Sequence, residues 1–144
     1  MIASEFPATA QAVFDHCAQH LIEQGKQSRF ADDLSAGCAY RGSGGEACAV
    51  GCLIPDAYYT REIEGLSVGD ILLREAEYLG PLWVFIERHA ALLNNLQIVH
   101  DEDATARWRQ ELRLVADRFG LSAAILDTLP PGPAEGGPRC PVTR

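Results

Sequence analysis

Three of the five cysteines, Cys38, Cys48 and Cys52, fall in one short stretch with Arg41, a glycine run at Gly42-Ser-Gly-Gly45, Asp56 and the pair Tyr58-Tyr59. Zinc would need four ligands, commonly in close pairs two to four residues apart. Cys48 and Cys52 have that spacing, but Cys38 has no near partner, and no spacing singles out a fourth ligand among His16, His20, His89 and His100. A metal set built on Cys38, Cys48 and Cys52 is therefore the weaker reading, and thiols packed as small apolar residues the stronger. No cofactor is expected.

Cys48 as a nucleophile would require a base, His100 or His89, with Asp101 orienting the ring, and a nearby cation such as Arg41 to favour the thiolate. The apolar run Cys-Ala-Val-Gly-Cys around it works the other way, because burial in apolar surroundings disfavours the charge. His16 and His20 stand four apart, as in helical zinc sites, but Cys17 occupies the place of the required Glu. The glycine run beside Arg41 is compatible with a backbone anion nest. It lacks the Lys-Ser/Thr pair of a phosphate loop, and a plain turn explains it.

Helical periodicity surrounds this stretch. Val13, Phe14, Cys17, Ala18, Leu21 and Ile22 form one apolar stripe, with Pro7 in the first turn and Gly25 as the stop. Ser67-Val-Gly-Asp70 has capping-box form and predicts a second helix through Ala76 and Leu79. Gly80-Pro81 opens a third, striped by Leu82, Phe85, Ile86, His89, Leu92, Leu93 and Leu96. Asp101-Glu-Asp103 is placed at the start of a fourth, followed by Thr105, Trp108, Leu112, Val115, Ala116 and Phe119. A short helix after Ser122 ends the pattern. Between the first two helices, Cys38–Arg41 and Ala47–Leu53 flank the glycine run and predict a small hairpin.

The expected fold is mainly α: a single-domain bundle of four or five helices over residues 1–129, with one small β-hairpin at 38–54, and a Pro/Gly-rich tail at 130–144. At 144 residues, 47% hydrophobic and 22% charged, the chain has enough apolar mass for one core. The net charge is −8, and residues 1–72 carry ten acidic against four basic side chains. An acidic chain without a basic patch argues against direct nucleic-acid binding and is compatible with a basic protein surface, including one that normally holds nucleic acid. There is no secretory signal or membrane-length apolar run, and five cysteines is an odd number, so a cytoplasmic location with reduced thiols is expected.

One resemblance cuts across these readings. His20-Leu-Ile-Glu-Gln-Gly25, Cys38-Ala-Tyr-Arg-Gly42, Gly45 to Gly51, Leu53-Ile-Pro-Asp-Ala-Tyr-Tyr59, Glu64-Gly65 and Leu96-Gln-Ile-Val-His-Asp101 resemble a family of small bacterial and phage proteins, over roughly residues 10–126. The resemblance implies a phage or mobile-element setting and supplies no catalytic residue. The expected function is a non-enzymatic protein-binding module that regulates or inhibits a host complex, with a defence system such as CRISPR-Cas as one target. Its contact residues are expected to be Tyr40, Arg41, Asp56, Tyr58, Tyr59 and Glu64. The alternative is a small cysteine-dependent enzyme using Cys48, His100 and Asp101. Trp83 and Val84, off the main stripe of the third helix, are compatible with a homodimer.

Overall fold

The structure, a computed structural model, describes residues 6–29, 39–42, 44–73, 79–102 and 104–130, with the Glu102 side chain excepted. Cys38, Ala76, Asp103 and residues 131–144 of the expected tail lie outside the described residues.

Helix α1, Ala10–Gln24, is framed by two caps. The Thr9 hydroxyl accepts the Ala12 N–H at 3.1 Å, and Gly25, at φ 68°, returns its own N–H to Leu21. The stripe from Val13 to Ile22 is buried as its spacing predicts. Helix α2, Val68–Leu72, begins at the Ser67/Asp70 capping box, with both reciprocal bonds formed. Gly80 turns the chain at φ 56°, and Pro81 starts α3, Pro81–Arg88. Helices α4, Ala90–Glu102, α5, Trp108–Arg118, and α6, Ile125–Thr128, complete the bundle. Helix α1 packs on α4, α5 and α6, while α2 packs on α3 and α4. Gln11 and the Ser122 backbone exchange two hydrogen bonds of 2.9 Å, tying α1 to the segment before α6. No helix among the described residues is long and apolar enough to cross a membrane.

Pro7 precedes the Thr9 cap and lies outside α1, and α2 ends at Leu72 instead of running on through Leu79. Three further expectations are corrected. The third stripe is two helices: the backbone at His89 leaves helical geometry at φ −115°, ψ 20°, although Leu82, Phe85, Ile86, Leu92, Leu93 and Leu96 all remain buried. Asp101 closes α4 and does not open the next helix. It tolerates the negative end of the helix because its carboxylate is buried among donors, described below.

The small hairpin is not formed. Among the described residues there is no strand, only an isolated antiparallel bridge between Arg41 and Ala47. Beyond Ala47 the chain coils into a short 3-10 turn, Gly51–Leu53, followed by two more at Asp56–Tyr58 and Arg61–Ile63. A two-faced strand would alternate buried and exposed positions. Cys48, Ala49, Val50 and Gly51 are all buried, so a tight coil packed against α1 satisfies them better.

Candidate functional site

The insert between α1 and α2 is held by side chains that reach into its backbone from three directions. From within, Glu64 is the hub. Its two carboxylate oxygens accept the consecutive amides of Tyr40 and Arg41 at 2.8 and 3.1 Å, and the Tyr59 hydroxyl donates to Oε2 at 2.6 Å. Charge-assisted bonds of this kind are stronger than neutral ones. The Tyr59 phenol is pushed up to about 12, first by burial and then by the neighbouring carboxylate. Buried Tyr40 sends its hydroxyl to the Leu66 carbonyl.

Arg41 ties the outer edge. Its guanidinium bonds the Asp56 carboxylate at 2.8 Å and the Ile54 carbonyl at 2.8 Å, and lies 4.3 Å from the centre of the Tyr59 ring. The Asp56 side chain is 95% exposed, so this pair forms a fixed but wet surface feature. Tyr58 turns away and packs against Phe6, with ring centres 5.6 Å apart. Of the six expected contact residues, Tyr40, Arg41, Asp56, Tyr59 and Glu64 are thus wired to one another or to adjacent backbone.

From α1, His20 Nε2 and Gln24 Nε2 donate to the Ala47 carbonyl at 2.8 and 3.0 Å, and Gln24 Oε1 accepts the Ala47 amide at 2.9 Å. Lys26 pairs with Glu46 at 3.5 Å on the rim.

From α4, a buried polar group holds the inner side. The Ser28 amide donates to His100 Nε2 at 2.9 Å, which leaves Nδ1 as the N–H that bonds Asp101 at 2.8 Å. Gln97 donates to the same Asp101 oxygen at 2.8 Å and accepts the Val50 amide at 3.1 Å. Gln27 donates back to the carbonyls of His100 and Asp101. The His100 ring stacks on Trp108, with centres 5.6 Å apart.

This arrangement engages each member of the expected triad in other bonds. Asp101 does orient His100, but both ring nitrogens are engaged, Nε2 by a backbone amide. Cys48 is fully buried, its sulfur accepts the Gly51 N–H at 3.2 Å, and burial pushes its thiol up to about 12. A base without a free lone pair and an un-ionised thiol give no nucleophile at neutral pH. Of the expected metal set, Cys38 lies outside the described residues, while the Cys48 sulfur accepts the Gly51 N–H and the Cys52 thiol donates to the Ala49 carbonyl. Among the described residues no group of three His, Cys, Asp or Glu side chains is placed to hold a metal ion. His89, expected on the apolar face, packs its ring at a tilt of 57° against Phe85 with centres 5.2 Å apart, and its buried Nε2 has no hydrogen-bond partner among the described residues. Burial and the Arg88 charge lower its pKa.

Of the three described cysteines, only Cys52 is partly exposed. The sulfurs of Cys17 and Cys52 both bond the Ala49 carbonyl, at 3.2 and 3.1 Å, and lie within hydrogen-bonding reach of each other. His16, exposed on α1, places Nε2 3.2 Å from the Cys52 carbonyl oxygen. Two surface grooves, of about 520 and 420 Å³, both reach Cys52: one beside Phe6, His16 and Pro55, the other beside Arg41, Glu46 and Asp56. The cluster spans 36 residues of sequence. The only signal for it was that His16, Cys17 and His20 share part of one helix, with Cys17 on its buried stripe.

No family model, curated protein or solved structure matches the chain.

Proposed function

We propose that the chain is a non-enzymatic protein-binding module whose contact surface is the outer edge of the insert, at Arg41, Asp56 and Tyr59. The observation that carries this reading is the Asp56 carboxylate, almost fully exposed yet fixed by an arginine that rests on an aromatic ring. The feature sets a carboxylate beside a guanidinium and an aromatic ring on the surface. Tyrosine and arginine are the residue types that concentrate binding energy at interfaces. The acidic first half of the chain suits a basic partner surface, including one that normally binds nucleic acid. Together with the resemblance to phage and bacterial proteins, this favours regulation or inhibition of a host protein complex, a CRISPR-Cas defence complex being one such target. A homodimer through exposed Val84 on α3 is compatible with this role; the neighbouring Trp83 is partly buried, with its indole N–H on the Leu72 carbonyl at 3.3 Å.

The immobilised protein is expected to retain a stoichiometric partner from a bacterial host lysate. Asp56→Arg should lose that partner while melting at an unchanged temperature, since the native pair is exposed and contributes little to stability. Recovery of no stoichiometric partner, or full retention by Asp56→Arg, contradicts the reading.

A further inference from the structure

Cys52 and Cys17 differ in a way that suits sequential thiol chemistry. Cys52 is partly exposed at the meeting of two grooves, while Cys17 is fully buried on the core face of α1. Both reach the Ala49 carbonyl, which places the sulfurs side by side without a bond between them. One helical step from Cys17, His16 stands on the solvent side of the same pair, and His20 lies one turn further on, fixed to Ala47. Cys52 thus presents a partly exposed thiol beside a fully buried one.

We infer that Cys52 is a peroxide-sensitive thiol and that Cys17 resolves its oxidised form to an intramolecular disulfide. The oxidant is a hydroperoxide, hydrogen peroxide or an organic one. The Cys52 thiolate attacks the peroxide, an S–O bond forms and the O–O bond breaks. The leaving oxygen takes a proton from solvent and departs as water or an alcohol. Cys52 is then a sulfenic acid. The Cys17 sulfur attacks it, the S–S bond forms, and the S–O bond breaks. The released hydroxide takes the Cys17 proton and leaves as water. Overall the two thiols lose two electrons and the peroxide gains them.

The electrostatics run in the required direction. The Cys17 S–H, His16 and the charge of His20 hold the Cys52 thiol below the ordinary range, against the opposing effect of burial. Burial above all keeps Cys17 protonated until it reacts. The Ala49 carbonyl opposes the thiolate, since an ionised sulfur cannot donate to it, and Cys17 becomes the donor to Cys52 instead. The disulfide would join α1 to the Gly51–Leu53 turn, elements already in contact. This inference is independent of the partner-binding reading.

The test is peptide mapping of the full reduced chain after brief exposure to hydrogen peroxide at neutral pH. The expected product is a Cys17–Cys52 linked peptide, reversed by dithiothreitol, with Cys48 still free. In Cys17→Ala, Cys52 should instead accumulate a sulfenic acid that dimedone traps. A variant-free measurement stands beside these: in the native wild-type protein, iodoacetamide should modify Cys52 about tenfold or more faster than Cys48. Oxidation confined to Cys38 or Cys140 with Cys52 untouched, a disulfide between chains, or equal alkylation of Cys52 and Cys48 overturns the inference.

Discussion

At the residue scale, two carboxylates and one thiol set the character of the insert. Glu64 accepts two neighbouring amides and a phenol, so Glu64→Ala strands two backbone donors close to the core. The expected cost is about 2–3 kcal/mol in urea unfolding, the range for lost hydrogen bonds to a charged group. A midpoint shift within the scatter of surface substitutions would show that water replaces the carboxylate. His100→Ala should cost at least as much, about 3 kcal/mol, because it orphans the Ser28 amide and leaves Asp101 buried with one donor fewer. At Cys52 the check is a pH–rate profile: alkylation should reach half its limiting rate well below the ordinary thiol value of roughly 8.5, because Cys17, His16 and His20 all favour the thiolate. As pH falls through that midpoint the thiol is protonated and the rate drops; an inflection at the ordinary value contradicts the assigned environment. The convergence of Arg41, Asp56, Tyr59 and Glu64 was legible in the sequence, since all lie within one short stretch. The pairing of Cys52 with His16 and Cys17 was not, because helix phase alone does not say which loop cysteine reaches α1.

At the element scale, termini were read well and continuity poorly. Thr9 was passed over as a cap, but Gly25, the Ser67/Asp70 box and Gly80-Pro81 end or begin helices as their chemistry requires. The break at His89 carries no glycine or proline, so the apolar stripe ran straight through it. Asp101 was misplaced for a related reason: acidic residues favour helix starts on average, while this one serves a buried imidazole and amide. The hairpin pattern breaks at Gly51, which opens a short 3-10 turn. It is a close-approach position, where an added Cβ would lie 1.9 Å from the Tyr40 carbonyl oxygen. Gly51→Ala must therefore displace Tyr40 or the turn. Its thermal destabilisation should exceed that of Ser67→Ala, which loses one exposed cap worth about 1 kcal/mol. If the two variants melt together, the turn is not packed as described.

At the scale of the whole molecule, the insert is a brace sewn to a helical body. Glu64 binds its entry limb, His20 and Gln24 its middle, and Gln97 its exit, each gripping main-chain atoms. His20, Gln24, Glu64 and Gln97 are thus accounted for by the main-chain atoms they hold. What the described residues leave on the outside is an acidic and aromatic edge, and the partly exposed Cys52. The most direct measurement of this account is amide hydrogen exchange at Tyr40, Arg41, Ala47 and Val50, four insert amides that receive side-chain acceptors. They should exchange as slowly as the buried amides of α1, opening only with global unfolding. Exchange near the rate of an unstructured chain, with α1 still protected, would contradict it.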